Sequence, residues 1–467
     1  MRSDMVSVLA VDDMLTVLNP DDGSVVGEVP LSSAADAERA LSAGMAALRR
    51  PLLPAHERAR ILNDVADRVA RDQEAHAVLI ATEGVKTIHE ARGEALRAAE
   101  TLRLSAQEAK RLAGGTVAMD QAPSGAGRTG WWVCRPAGLV VAITPYNDPL
   151  NLVAHKLGPA FAVGAPVILK PHPQTPYSAL RLVEHFHAAG APADMIQILI
   201  GGGDLGDRLV VDSRPRVISF TGGRQAGGAI ARRAGIKRLA LELGGVGTVA
   251  VAADADLDRA AACIHSGAFW AAGQNCVHAQ RIIVDDRMAG PLTERLIALT
   301  KAMSLGPKLD DATDMGPMVD KAAATRVAAA IADARQAGAR LLIGGEAHGT
   351  HVQPTWLAGL STDHPLMTHE IFGPVATLET VPDDAALLDR LGGAADAIHA
   401  GLFTGSLGLT MAAHERVNAA ALIVNDSTDF RIDAMPFGGI GAAGLGREGV
   451  ADAVSELTEK KLMVLRA

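Results

Sequence analysis

The chain reads as an α/β protein: two doubly wound, parallel-sheet domains with a small β hairpin standing off them. Three observations predict this. From Pro136 onward, short apolar runs alternate with helical stretches at the spacing of strand–helix–strand units. After Gly245 the same alternation restarts. Between the helical first quarter and this pattern lies a stretch of different character, 116–135, rich in turn residues and then alternating.

Taken in order, residues 1–30 read as short strands about a turn at Asn19-Pro20-Asp21-Asp22-Gly23, where Pro and Asp favour a reversal. Ser32–Arg49 opens with a capping signal and continues Ala-rich, which predicts a helix. His56–Arg71 and Gln73–Gly84 read as further helices, and Thr87–Leu112 as a long one rich in strong helix formers. Thr116–Arg135 reads as a hairpin, with Cys134 an ordinary strand residue.

Leu139–Thr144 is near-continuously apolar, as a strand buried on both faces should be. Pro166–Lys170, Met195–Ile200, Val217–Thr221 and Arg238–Leu243 continue the series, with helices between them. The second series has strands at Val249–Val251, Arg281–Val284 and Leu341–Ile343, and helices at Asp256–Ala272, Gly290–Ala302 and Ala322–Ala337. Pro365–Val375 reads as loop. Lys461–Leu465 is a terminal strand whose partner is either the 116–135 hairpin or another subunit.

Composition narrows the function. A net charge of −9 supplies no basic excess for a phosphate backbone or an anionic membrane. Aromatics at 3% argue against a stacking platform for single-stranded nucleic acid. Cys134, Cys263 and Cys276 are odd in number and widely spaced, which argues against a disulfide framework and fits a reducing cytoplasm. The N-terminus does not read as a secretory signal, and the apolar runs are too short to span a bilayer.

Glycine-rich turns mark candidate phosphate contacts. Gly201–Gly206 matches Gly-x-Gly-x-x-Gly, but no acidic residue ends the following strand, so it reads as a plain glycine turn. Gly444–Gly449 has no preceding parallel strand and reads as loop. The turn from Phe220 through Thr221, Gly222 and Gly223 to Gly227 is stronger, because small residues between a strand end and a helix start let backbone N–H groups approach a pyrophosphate. Lys170, ending another strand, could meet ribose hydroxyls in the same crevice. Metal binding has little support: His185 and His187 point to different faces of a helix, and Asp254, Asp256 and Asp258 read as capping and solvation.

Cys276 follows a helix and a polar turn, Gly273-Gln274-Asn275. Alone it would read as a buried cysteine. Its company changes that: Glu242 is a carboxylate at the end of an apolar strand with Gly244-Gly245 behind it, and Asn147 lies just past another strand, where its amide could donate to an oxyanion.

With these residues the chain resembles the NAD(P)-dependent aldehyde dehydrogenase superfamily over essentially its whole length. The pieces occur in family order: Thr144-Pro145-Tyr146-Asn147, Lys170-Pro171, Phe220-Thr221-Gly222, Glu242-Leu243-Gly244-Gly245, Gly273-Gln274-Asn275-Cys276, Glu370-Ile371-Phe372-Gly373-Pro374 and Pro436-Phe437-Gly438-Gly439. The resemblance implies an aldehyde dehydrogenase-like fold. A Rossmann-like cofactor domain would take 1–115 and 136–244, a catalytic domain 245–427, an oligomerisation segment 116–135 and 445–467, and a linking loop 428–444. It implies a homodimer or homotetramer, and NAD or NADP as cofactor. Cys276 would be the nucleophile, Glu242 the base that activates water, and Asn147 with the Cys276 N–H the oxyanion donors. Thr144, Pro145, Lys170, Phe220, Thr221, Gly222, Gly223, Gly227, Glu370 and Phe372 would contact the cofactor. The departures are Gly223 where Ser is frequent, Pro173 where NAD-preferring members often carry Glu, Val246 where Asn is common, and Gly441 and Ala443 where Lys and Ser are usual.

Segments 147–156 and 426–433 resemble the lactaldehyde and phosphonoacetaldehyde dehydrogenase branch, which implies a small, polar or anionic aldehyde. Arg103, His155 and Arg431 are candidates for holding an anionic group; a structural role is the alternative for the two arginines. Asn275 stands where anion-binding members often have Arg, which weakens a phosphonate reading. Two further readings are a coenzyme A-acylating enzyme, against which Glu242 speaks, and a non-catalytic binding protein on the same fold.

Overall fold

The computed structural model describes residues 10–11 and 13–466. The first nine residues of the segment read above as short strands lie outside it. The remainder forms a three-stranded antiparallel sheet, Ala10–Val11, Met14–Leu18 and Val25–Pro30.

The first large sheet has six strands in the spatial order Gly444–Leu445, Arg238–Leu243, Pro215–Gly222, Leu139–Ile143, Val167–Lys170, Ile196–Ile198. All pairings are parallel except the outermost, between Gly444–Leu445 and Arg238–Leu243. The chain runs from the central strand Leu139–Ile143 out to one side and then returns to build the other. The strand order therefore reverses at its carboxyl end, which is where a doubly wound sheet opens a crevice for ligands. All five residues of Leu139–Ile143 are buried, consistent with its unbroken apolar run.

The second sheet has seven strands: Arg340–Ile343, Thr355–Ala358, Val375–Val381, Ala279–Asp285, Gly247–Val251, Ala397–Phe403, Ala419–Val424. Only the Arg340–Ile343 edge runs antiparallel. The chain's last strand, Thr458–Arg466, pairs antiparallel with Arg128–Pro136, which also pairs with Gly114–Val117. Within this chain, the tail and the hairpin form one three-stranded sheet.

Three local expectations are corrected. Gly444–Leu445 is not loop: its pairing puts Gly444 opposite Glu242 and closes the sheet edge beside that carboxylate. The helix expected to run to Ala272 ends at Phe269, and Ala271 and Ala272 adopt left-handed backbone with φ of 51° and 53°. Pro365–Thr368 is a short helix, started by Pro at its first turn and capped by the His364 side chain.

The helix Ile88–Arg111 contributes most to positioning the site. Thr87 and Glu90 form a reciprocal capping box at its start. Its buried residues include Glu90, Glu94 and Thr101 among the alanines, so one face is polar and yet inside the molecule. Asp256 caps the helix Leu257–Phe269, in keeping with the capping role read for that acidic run.

Candidate active site

One cleft of about 2270 Å³ runs between the two large sheets. Cys276, Glu242 and Asn147 all line it, with Asn275, Arg431 and Phe437 around them. Two loops and a strand end, spread over residues 147–276, thus reach one place. The Ile88–Arg111 helix explains how. Glu90, Glu94, Arg97 and Thr101 recur at helical spacing and share one face. Glu90 accepts the Ala271 N–H at 2.7 Å, just before the cysteine loop. Glu94 accepts the N–H groups of Leu150 and Asn151 at 2.8 and 3.0 Å, fixing the loop that carries Asn147. Arg97 grips Asp433 with two hydrogen bonds, 2.9 and 3.3 Å, beside Arg431.

The cysteine loop has a second brace in Gln274. Its amide donates to Ala271 O and Pro317 O at 3.1 and 3.0 Å and accepts from the Val319 N–H at 3.0 Å. Left-handed backbone at an alanine costs about 1–2 kcal/mol per residue. Here it is held by these buried bonds, and it turns Cys276 into the cleft.

Glu242 sits one residue from the end of its strand, with Thr221 on one side in register and Gly444 on the other. Its Oε2 is buried and has no hydrogen-bond partner. Burial, and then the neighbouring Glu448 carboxylate, push Glu242 well above the ordinary carboxylate range. Burial also acts on Glu448, but Lys156, His155, Arg431 and the Thr221 hydroxyl outweigh it and hold Glu448 at about 2. Lys156 lies 3.3 Å from Glu448 and Arg431 3.4 Å. Of the two carboxyls, the surroundings favour the charge on Glu448 and the proton on Glu242.

Cys276 is partly exposed on the cleft wall. Burial in its surroundings raises its thiol pKa; Arg431 opposes this, and Glu370, Glu242 and Asp148 add to it. The raised value favours a thiol at rest, which would have to lose its proton to serve as a nucleophile.

At the carboxyl edge of the six-stranded sheet, the cleft is lined by Thr144, Pro145, Lys170, Phe220, Thr221, Gly222 and Gly223, with Glu370 and Phe372 facing them. Gly223 and Gly202 are the N-caps of two helices, Arg224–Arg233 and Gly203–Val211, and neither cap makes a side-chain hydrogen bond. Residues Gly202, Gly203 and Gly206 also line the cleft, so the plain glycine turn forms part of its wall. An added Cβ at Gly206 would lie 3.6 Å from the Lys170 side chain. Burial lowers Lys170 to about 8 and raises Glu370 to about 7. The Thr144 hydroxyl and Glu370 Oε1 are buried without partners. Open helix N-termini, a buried lysine and orphaned oxygens form a donor and acceptor set that fits a pyrophosphate and ribose hydroxyls.

Three expected contacts fall elsewhere. Gly227 lies on the inner face of its helix, where a side chain would collide with Leu243. Arg103 is on the outer face of Ile88–Arg111, paired with Asp67 at 3.2 Å and 40% exposed. It lies six positions past Arg97, more than a turn and a half away around the axis, so the cleft-facing arginine of this helix is Arg97. His155 is fully buried behind the wall, 2.8 Å from Asp433 and 3.0 Å from Arg431. It holds Arg431 and does not face the cleft.

Sequence reasoning missed Glu90, Glu94, Arg97, Asp433 and Glu448. The signal for the first three was present as acids and an arginine at helical spacing on one face. For Asp433 and Glu448 no local signal existed.

A family model described as the aldehyde dehydrogenase family matches residues 9–463. The aspartate-semialdehyde dehydrogenase 1 of Pseudomonas canavaninivorans is 43% identical over 100% of this chain and 99% of its own. The crystal structure of aldehyde dehydrogenase 21 from Physcomitrella patens, in complex with the reaction product succinate, superposes with a TM-score of 0.93 at 32% identity, covering 97% of this chain and 95% of that one. Glyceraldehyde-3-phosphate dehydrogenase from Methanocaldococcus jannaschii, complexed with NADP, gives 0.92 at 32% identity, covering 97% and 99%. Sequence, fold and site geometry agree: this chain belongs to the aldehyde dehydrogenase family.

Proposed function

We propose that the protein oxidises a small, polar or anionic aldehyde to its carboxylic acid with NAD or NADP. The observation that carries this is the convergence of Cys276, Glu242 and Asn147 in one cleft beside Arg431. The relatives that act on a semialdehyde or hold succinate or NADP support the reading of both halves of the cleft.

Cys276 gives up its proton to solvent water in the cleft, and its thiolate sulfur adds to the aldehyde carbon, forming a thiohemiacetal oxyanion. The Asn147 amide and the Cys276 N–H donate to the developing oxyanion. When bound, the dinucleotide supplies the hydride acceptor that leaves a thioester on Cys276. Glu242, deprotonated, takes a proton from water, whose oxygen adds to the thioester carbon. The C–S bond then breaks, releasing the acid, and the departing thiolate takes up the proton that Glu242 accepted. Lys170, Glu370, Thr144 and the 221–223 turn would hold the dinucleotide, with Pro145, Phe220 and Phe372 packing around it. Because Pro173 offers no carboxylate to repel a 2′-phosphate, both cofactors are accommodated.

Arg431 is the anchor for an anionic group, with His155 fixing its position. The exposed strand Thr458–Arg466 pairs two such chains or more into a homo-oligomer. Initial rates on a panel of neutral and anionic aldehydes with each cofactor, and with and without coenzyme A, test the reading. Free acid should form in every productive case. Acyl-coenzyme A as the product would replace hydrolysis by thiol transfer, and failure to reduce either cofactor would defeat the activity.

A further inference from the structure

The segment between the second sheet and the Pro436–Gly439 turn puts an acid and a base two residues apart on the cleft wall. Asp429 and Arg431 both line the cleft, while Phe430 between them is 47% exposed and faces away. Two residues of chain separate their Cα atoms by at most about 7 Å.

Each of the two has unused capacity. Arg431 has a side chain only 8% exposed and lies over the Phe437 ring at 3.6 Å; its Nε stands 3.8 Å from the Asp433 carboxylate and makes no hydrogen bond. Asp429 accepts only the Ser266 hydroxyl, at 2.7 Å, and no cation among the described residues lies within ion-pair distance of it. The other carboxylates near this end are occupied. Glu90 and Glu94 accept backbone N–H groups, and Asp148 is paired with Lys86. Asp311 is paired with Arg92, and Asp314 accepts the Ser304 N–H. Asp433 is bound by Arg97 and His155.

We propose that the cleft takes a zwitterionic aldehyde, an amino-acid semialdehyde whose carboxylate meets Arg431 and whose ammonium meets Asp429. An α-amino acid places its two charged groups on one carbon, a span that an acid and a base two residues apart can bracket from one side. The aldehyde end then extends toward Cys276. This rests on the activity proposed above and narrows its substrate class. Asp429 would be a specificity-determining residue, making no contact with the reacting atoms.

The test compares steady-state kinetics on a four-carbon semialdehyde carrying an α-amino group, its α-hydroxyl analogue and its unsubstituted counterpart, for the wild type and for Asp429→Asn. The wild type should prefer the amino compound by at least about tenfold in kcat/KM, the loss expected when a charge-assisted hydrogen bond is missing. Asp429→Asn should remove that preference, chiefly through the KM of the amino compound, and Asp429→Glu should restore part of it. A wild type that ignores the amino group, or treats the hydroxyl analogue equally, would overturn the proposal. So would an Asp429→Asn variant that lowers all three substrates alike. An enzyme active on aldehydes but blind to the amino group defeats this inference alone; one inactive on every aldehyde defeats the activity reading instead.

Discussion

Burial raises the pKa of both Cys276 and Glu242, and in the proposed mechanism both must lose a proton to act. Raised pKa values mean the reactive forms grow as pH rises, so kcat/KM should climb as pH rises above neutrality. A profile that is flat or falls over that range would show that neither group limits turnover. Replacing Cys276 by Ala should abolish oxidation while leaving dinucleotide binding intact, as read by fluorescence titration. Wild-type-like turnover in that variant would remove the cysteine from the mechanism. At this scale the convergence of Cys276, Glu242 and Asn147 on one cleft was legible, because each stands beside a glycine or a strand end in a recognisable motif. The substrate contacts were less so. Arg103 and Arg97 sit on the same helix and differ only in azimuth, and composition alone cannot tell the wet face from the dry one.

The decisive element is the helix Ile88–Arg111. Its sequence reads as a good helix of Ala, Glu, Arg and Leu, and a run of such residues ordinarily means a solvated face. Here Glu90 and Glu94 are buried and hold the backbone of two loops from opposite halves of the chain. Removing a buried acceptor leaves its donor unsatisfied at a cost of about 1–3 kcal/mol. Glu90→Ala should therefore lower stability by that amount in denaturant titration. It should also reduce kcat by roughly tenfold to a hundredfold, since releasing Ala271 shifts the cysteine loop. Retention of full kcat would show that the loop keeps its left-handed turn without this brace. Gly444–Leu445 makes a related point: two residues are too few to show strand periodicity, and they become a strand because the Arg238–Leu243 edge beside them has free backbone groups.

Across the whole molecule, the two sheets face each other over one cleft and the hairpin with the terminal strand stands outside it. Leu462 and Val464 on one face of that strand, and Met463 and Leu465 on the other, are between 41% and 55% exposed. A hydrophobic strand this open is where the proposed homo-oligomer would pair. Leu462→Glu, which changes charge but not the intrachain ladder, should shift the protein to a smaller species in light scattering. An unchanged mass would place the assembly surface elsewhere.

The sequence by itself determined the alternating α/β plan, the two series that break at Gly245, and the motif residues at strand ends and glycine turns. Those features are local: hydrophobic period, turn chemistry and the small residues a close approach requires. Only the tertiary structure decided which polar side chains are buried, and therefore which ones matter. Glu448 lies 292 positions from the lysine it pairs with, and Asp433 lies 336 from Arg97 and 278 from His155. Such pairs exist because the fold removes them from water together, and a charge that loses its hydration must find its partner wherever the chain has placed one. The choice between Arg97 and Arg103, and between Glu242 and Glu448 as the proton carrier, follows from that desolvation and from nothing in the local sequence.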